Sequence, residues 1–181
     1  MKITDMTDTA FDQAMQRLLG DVQFWCIRLS QIGEYSLEPM PVSYADGSGK
    51  QPFPLALEVR RVWDYAKGGK PRPEEIAEII QDLCELLWSH TGGSSYDIPA
   101  AFWDQPLGFM CQLAWAREAL ESGADLNAEQ LSLLAGVTHQ RVKQLCQSGE
   151  IPAGKVERSG SSQQEWAIPA DIAREWLEGR K

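Results

Sequence analysis

The side chains of this sequence best suited to binding chemistry lie in the run Thr138–Ser148, which contains no acidic residue. Hydrophobic spacing predicts a short helix here, with Val142, Leu145 and Cys146 facing inward. The outward positions carry nitrogen-rich polar groups: His139, Gln140, Arg141, Lys143, Gln144 and Gln147. Arginine can donate to both acceptors of guanine, and glutamine can pair with adenine. This face is therefore a candidate surface for the major groove of duplex DNA.

The residues before this run predict a second short helix and a sharp turn. Asn127 is a suitable N-cap, and the inward positions that follow it are Leu131, Leu134 and Ala135. Gly136 can adopt the left-handed conformation of a tight turn, after which Thr138 caps the next helix. Two short helices with a glycine in the turn predict a helix-turn-helix, whose second helix enters the groove.

The residues after Gly149 change to the pattern of a β-hairpin. Two alternating runs flank a turn rich in serine and glycine at residues 159–164. A final helix is predicted to begin at Ala170 and to bury Ile172, Trp176 and Leu177. A hairpin packed behind a helix-turn-helix forms a wing.

Residues 126–178 resemble the winged helix-turn-helix of the MerR and excisionase type. The matching motifs are Ala135-Gly136-Val137-Thr138, Ser148-Gly149-Glu150-Ile151-Pro152-Ala153 and Trp166-Ala167-Ile168-Pro169. The resemblance implies binding to double-stranded DNA in transcription regulation or in phage and plasmid recombination, often as a dimer or array. It implies that the major groove is contacted by Thr138, His139, Gln140, Arg141, Lys143 and Gln144. It places Lys155 and Arg158 on the wing, near the DNA backbone.

Charge is distributed unevenly along the chain. Seven basic residues balance seven acidic ones in residues 126–181, so the net charge of −9 belongs to residues 1–125. The wing segment 159–164 is neutral. Phosphate contacts supply most of the non-specific affinity for DNA. Because residues 126–181 have no net positive charge, they can make few such contacts, and one copy is expected to bind weakly. We therefore expect a homodimer, in which pairing through the N-terminal domain raises the effective concentration of the second copy.

The expected fold is mainly α, with an acidic helical domain at 1–123 and the winged helix-turn-helix at 124–181. The N-terminal helices are predicted at Thr9–Gln31, Leu57–Tyr65, Pro73–His90 and Gln105–Ser122. A long loop at 36–56, with a short hairpin around Asp46-Gly47, separates the first two. The expected core includes Trp25, Trp63, Trp88, Trp103 and Trp115.

Metal, cofactor and enzymatic functions are not expected. The cysteines Cys26, Cys84, Cys111 and Cys146 form no CxxC pair, so they are expected to be core thiols in a reducing cytoplasm. The sequence contains no GxGxxG, P-loop, nucleophile elbow or paired histidines. It also has no signal-peptide core and no apolar run of the ~18–20 residues that span a membrane.

The alternative function is an acidic adaptor. In that hypothesis the N-terminal bundle binds a basic protein partner, and the winged domain makes an additional protein contact. An acidic surface can imitate the charge of nucleic acid towards a DNA-binding protein.

Overall fold

The computed structural model describes residues 2–33, 54–70, 72–88, 97–157 and 164–180. In these ranges the chain is mainly helical with one small antiparallel hairpin, which confirms the expected fold class at that level. The helices are α1 (Asp8–Gly33), α2 (Pro54–Ala66), α3 (Ile76–Trp88), α4 (Pro106–Ser122), α5 (Ala128–Ala135), α6 (His139–Ser148) and α7 (Ala170–Glu178). The strands are β1 (Gly154–Glu157) and β2 (Gln164–Ala167), and short 3-10 helices cover Ile3–Asp5 and Ala100–Phe102.

The chain divides into two compact units, Ile3–Gly108 and Phe109–Lys181. The division falls inside α4, whereas the helix-ending Gly123 predicts a boundary at 123. The second half of α4 explains the difference, because Ala119 and Leu120 pack against the core of the second unit. Hydrophobic contacts, and not the end of the helix, therefore set the boundary.

In the first unit, α2 packs against both α1 and α3. Phe11 and Trp63 are fully buried and meet edge to face, with ring centroids 5.2 Å apart. The guanidinium of Arg60 lies 4.9 Å from the centre of the Phe11 ring and donates to the Asp8 carboxylate at 2.8 Å. An aromatic pair beneath an ion pair thus joins α1 to α2.

The predicted tryptophan core is correct only in part. Trp63 is fully buried, and Trp88 and Trp103 are half-buried, but Trp115 is 37% exposed. The prediction for Trp115 was wrong because α4 carries apolar residues around most of its circumference, so spacing alone does not select its buried face. The side chain of Trp25 and the predicted hairpin at Asp46-Gly47 lie outside the described residues.

The second unit has a core shared by α5, α6, α7 and the hairpin. Its buried members are Leu126, Ala128, Leu131, Val142, Leu145, Cys146, Ile151, Ile168, Ala170 and Ala173. Partly buried side chains pack around them, including Leu134, Val137, Trp166, Ile172, Trp176 and Leu177. The predicted inward positions are confirmed for Leu131, Val142, Leu145 and Cys146, and Leu134 lies at the margin of the core. Ala135 was predicted to face inward but is only half-buried and does not pack against this core, because it lies in the last turn of the helix.

Local interactions fix the ends of α5 and α6. Asn127 and Gln130 form a reciprocal capping box, with side-chain-to-backbone distances of 2.8 and 2.9 Å. Gly136 ends α5 with φ 64°, a left-handed conformation in which a β-carbon is strained. The Thr138 hydroxyl then accepts from the backbone N–H of Arg141 at 3.2 Å and starts α6. These contacts confirm the predicted turn between the helices.

The hairpin is tied back to the start of α5. β1 and β2 pair antiparallel, with Lys155 opposite Trp166. Beyond the end of β2, Ile168 exchanges two backbone hydrogen bonds of 2.8 Å with Leu126. Leu126 and Ile168 are both fully buried in the core that the two short helices share. The bridge between them therefore fixes the hairpin beside those helices.

Adjacent residues of α6 provide a test of its orientation. Leu145→Ala is expected to destabilise the second unit by about 2–5 kcal/mol, because it leaves a cavity in the core. Gln144→Ala removes only exposed atoms and should change stability by less than about 0.5 kcal/mol. Hydrogen exchange of the α5 and α6 amides measures the stability of this unit separately. Equal losses in the two variants would show that α6 has been assigned the wrong buried face.

Candidate functional site

The second helix of the pair exposes the side that was predicted to bind. Thr138, the N-cap of α6, is exposed, and the exposed residues along the helix are His139, Gln140, Arg141, Gln144, Gln147 and Ser148. Lys143 is half-buried, and Lys155 is exposed on β1. Arg158, the second predicted wing residue, lies outside the described residues.

A polar groove of about 330 Å³ lies between α6, the start of α5 and the hairpin. We call it the wing groove. It is lined by Ala128, Glu129, His139, Lys143, Gln147, Lys155, Gln164, Glu165 and Trp166. Three of the predicted site residues thus come together here: His139, Lys143 and Lys155.

The outward face of α6 consists of two stripes. His139, Lys143 and Gln147 follow one another at four-residue intervals and line the wing groove. Gln140 and Gln144 form a neighbouring stripe that is exposed but lies outside the groove. Arg141 is exposed beside them, so the helix presents amide and guanidinium groups next to a groove that contains cations.

Lys155, on strand β1 of the hairpin, lies over an aromatic ring. The Lys155 ammonium lies 5.2 Å from the centroid of the Trp166 ring, within the range of a cation–π contact. Trp166 in turn packs against the core of the second unit. Side chains directly opposite each other in an antiparallel pair share one face, so strand register places this lysine over that ring.

The electrostatics of α6 favour an anion more than those of its neighbours do. Glu129 lies in the first turn of α5 and Asp171 in the first turn of α7, where carboxylates stabilise the positive end of a helix. The first turn of α6 has no acidic residue, and Thr138 satisfies one of its backbone donors. The remaining partial positive charge and the cations Arg141 and Lys143 suit a phosphate group.

Of the nine lining residues, the sequence predicted three as site residues and placed Gln147 on the outward face of α6 without assigning it to the site. Its position four residues after Lys143 is the signal that would have included it. Gln164 and Trp166 line the groove because the hairpin brings strand β2 back alongside β1. Glu129 and Glu165 add two carboxylates that no local signal connects with α6.

The described residues offer little for other chemistry. They contain no group of three or more histidine, cysteine or acidic residues that could hold a metal ion. Burial raises the pKa of the Cys146 thiol on the core side of α6, which disfavours the reactive thiolate. None of the helices in the described ranges combines the length and the hydropathy needed to cross a membrane.

Comparisons with protein-family models, curated proteins and solved structures find no match to this chain. The functional assignment therefore depends on the residues of the second unit, on their exposure and on the grooves that they line.

Thiol labelling tests the two sides of α6. Cys146 is expected to react with iodoacetamide at pH 8 at least about 100-fold more slowly than an exposed thiol, because it is buried and its pKa is raised. A cysteine introduced by Gln147→Cys, on the groove side, should react at the rate of an exposed thiol. Peptide mass spectrometry measures each site separately. Similar rates at residues 146 and 147 would contradict the assigned faces.

Proposed function

We propose that this protein binds duplex DNA through its second unit, with α5 and α6 as a helix-turn-helix and the β1–β2 hairpin as its wing. The observation that carries the proposal is the division of α6 into two sides. Val142, Leu145 and Cys146 are buried on one side, and the other side contains no acidic residue. In a chain of net charge −9, such a face suits a polyanion.

We assign base contacts to the exposed stripe of α6. Arg141 can donate two parallel hydrogen bonds to guanine, while Gln140 and Gln144 can each pair with adenine through the side-chain amide. All three side chains are exposed, and all lie in the first two turns of the helix. The N-terminal residues of a recognition helix are the ones that reach base edges.

We assign backbone contacts to the wing groove. Lys143 and Lys155 line it from α6 and from the wing, so a phosphate there would meet an ammonium group from each element. His139 lines the same groove and adds a ring N–H donor. Thr138 supports this arrangement by capping α6. Arg158 remains a predicted backbone contact and lies outside the described residues.

Regulation of transcription or of phage-type recombination by a homodimer is part of the proposal. Few cations in one copy predict weak binding by that copy, and pairing two copies multiplies the affinity by raising the effective concentration. The first unit is the expected pairing element. Its helix α1 exposes Phe24 and Ile27, which are three residues apart and more than half accessible.

One observation favours the adaptor hypothesis. Glu129 and Glu165 line the wing groove beside Lys143 and Lys155, and mixed charges suit a protein surface as well as a phosphate. The two hypotheses differ in what these carboxylates do. If the protein binds DNA, these carboxylates repel the phosphate backbone. If it is an adaptor, they form ion pairs with the cations of a basic protein partner.

Removing the two cations of α6 tests the DNA proposal. Arg141→Ala combined with Lys143→Ala is expected to weaken binding to a random duplex at least about 30-fold at low salt. The slope of log K against log salt should fall by about one, since Lys143 is assigned to a phosphate and each phosphate contact releases about one counterion. Gel-shift titrations over a salt series measure both quantities.

The matched control is Lys70→Ala combined with Arg72→Ala, which removes the same charge from the first unit. It should change the affinity by less than about twofold. If the α6 variant keeps wild-type affinity and salt slope, or if the control loses as much, α6 is not the DNA-binding element.

Neutralising the groove carboxylates separates the two hypotheses. Glu129→Gln combined with Glu165→Gln is expected to strengthen duplex binding about threefold to tenfold at low salt, because two charges that repel phosphate are removed. Glu121→Gln with Glu118→Gln, on α4, is the control and should have a smaller effect. Fluorescence anisotropy with a labelled duplex gives the affinities. Unchanged or weaker DNA binding in the groove variant would favour the adaptor.

A further inference from the structure

The second unit contains another cavity that shares no lining residue with the wing groove. It has a volume of about 450 Å³ and lies between the end of α4, the end of α5 and α7. Its principal lining residues are Arg117, Leu120, Leu134, Arg174, Leu177 and Arg180. We call it the arginine pocket. Three guanidinium groups thus lie around three leucines, and the proposed contact with DNA does not use this pocket.

Two arginines of this pocket are held in place by contacts with neighbouring groups, and among the described lining residues the arginines outnumber the carboxylates. Arg174 donates through Nη2 to the carbonyl of Leu120 at the end of α4. The Arg180 guanidinium lies 4.8 Å from the centroid of the Trp176 ring. Glu178 is the one carboxylate among the residues that line the pocket in the described part of the chain, against three guanidinium groups.

Arg117 provides the most specific observation. Its Nε is buried, and it has no hydrogen-bond partner among the described residues. A buried donor without an acceptor costs free energy, and such atoms are rare. The Nε has almost no exposed surface and is therefore closed to a ligand, but Arg117 lines the pocket, so its guanidinium charge acts on an anion bound there.

The leucines determine what else the ligand must carry. Leu120, Leu134 and Leu177 give the pocket an apolar wall, and the volume is in the range that holds a small organic molecule. An inorganic ion would leave this wall in contact with water. A ligand with an anionic head and an apolar body would satisfy the arginines and the leucines together.

We infer that the arginine pocket binds a small organic anion, a carboxylate or phosphate monoester attached to an apolar group. The head meets the guanidinium groups of Arg117, Arg174 and Arg180, and the body lies against the leucines. This inference does not depend on DNA binding, because none of these residues belongs to α6 or to the hairpin.

The probes are 4-phenylbutyrate and phenyl phosphate, titrated into the full-length chain and followed by calorimetry and by amide NMR. At least one of them is expected to bind saturably with a dissociation constant below about 5 mM, with shifts centred on the lining residues. The neutral 4-phenylbutyramide lacks the charge, and acetate and inorganic phosphate lack the apolar body. Each should bind at least about tenfold more weakly than its complete counterpart.

Two variants locate the site. Arg117→Gln removes one charge and should weaken binding at least about tenfold, whereas Arg141→Gln, on α6, should leave it unchanged. Ala135→Leu places a larger side chain in the lining of the pocket and should also weaken binding. If Arg117→Gln fails to fold, Arg180→Gln, at an exposed position, replaces it.

The inference is overturned if neither probe binds below that concentration. It is also overturned if the neutral amide binds as well as 4-phenylbutyrate, or if the pocket variants bind like the wild type. Preference for one of the two probes identifies the anionic head. The DNA titrations with the α6 variant are independent of these outcomes, so the two proposals can fail separately.

Discussion

The burial of one side of α6 is the constraint on which the second unit depends. Val142, Leu145 and Cys146 have almost no exposed surface, and each would lose favourable burial if the helix turned about its axis. A helix of ten residues has few other ways to pack. Its rotation is therefore fixed, and the polar side chains on the remaining surface face outward as a consequence.

The wing groove depends on that constraint and on the backbone bridge between Leu126 and Ile168. The bridge brings the hairpin beside α6, so that Lys155 and Lys143 line one groove although they are on separate elements. The carboxylates Glu129 and Glu165 enter the same groove. A site of this composition has a weak net field, and we expect hydrogen bonding, more than charge, to determine what it selects.

The two cavities of the second unit differ in the kind of anion that they suit. The wing groove is polar and continues onto the exposed face of α6, as a site for an extended chain of phosphates requires. The arginine pocket has an apolar wall and three guanidinium groups, as a small amphiphilic anion requires. The first turn of α5 lines the wing groove and its last turn lines the arginine pocket. The two cavities therefore lie at opposite ends of this short helix.

The sequence by itself determined the local structure of the second unit: the caps at Asn127 and Thr138, the turn at Gly136 and the buried sides of α5 and α6. These features depend on residues within a few positions of one another. Only the tertiary structure decided the exposure of Trp115, the division inside α4 and the mixed charge of the wing groove. It also decided the arginine pocket. Each of these depends on which distant segments approach one another, and local spacing carries no information about that approach.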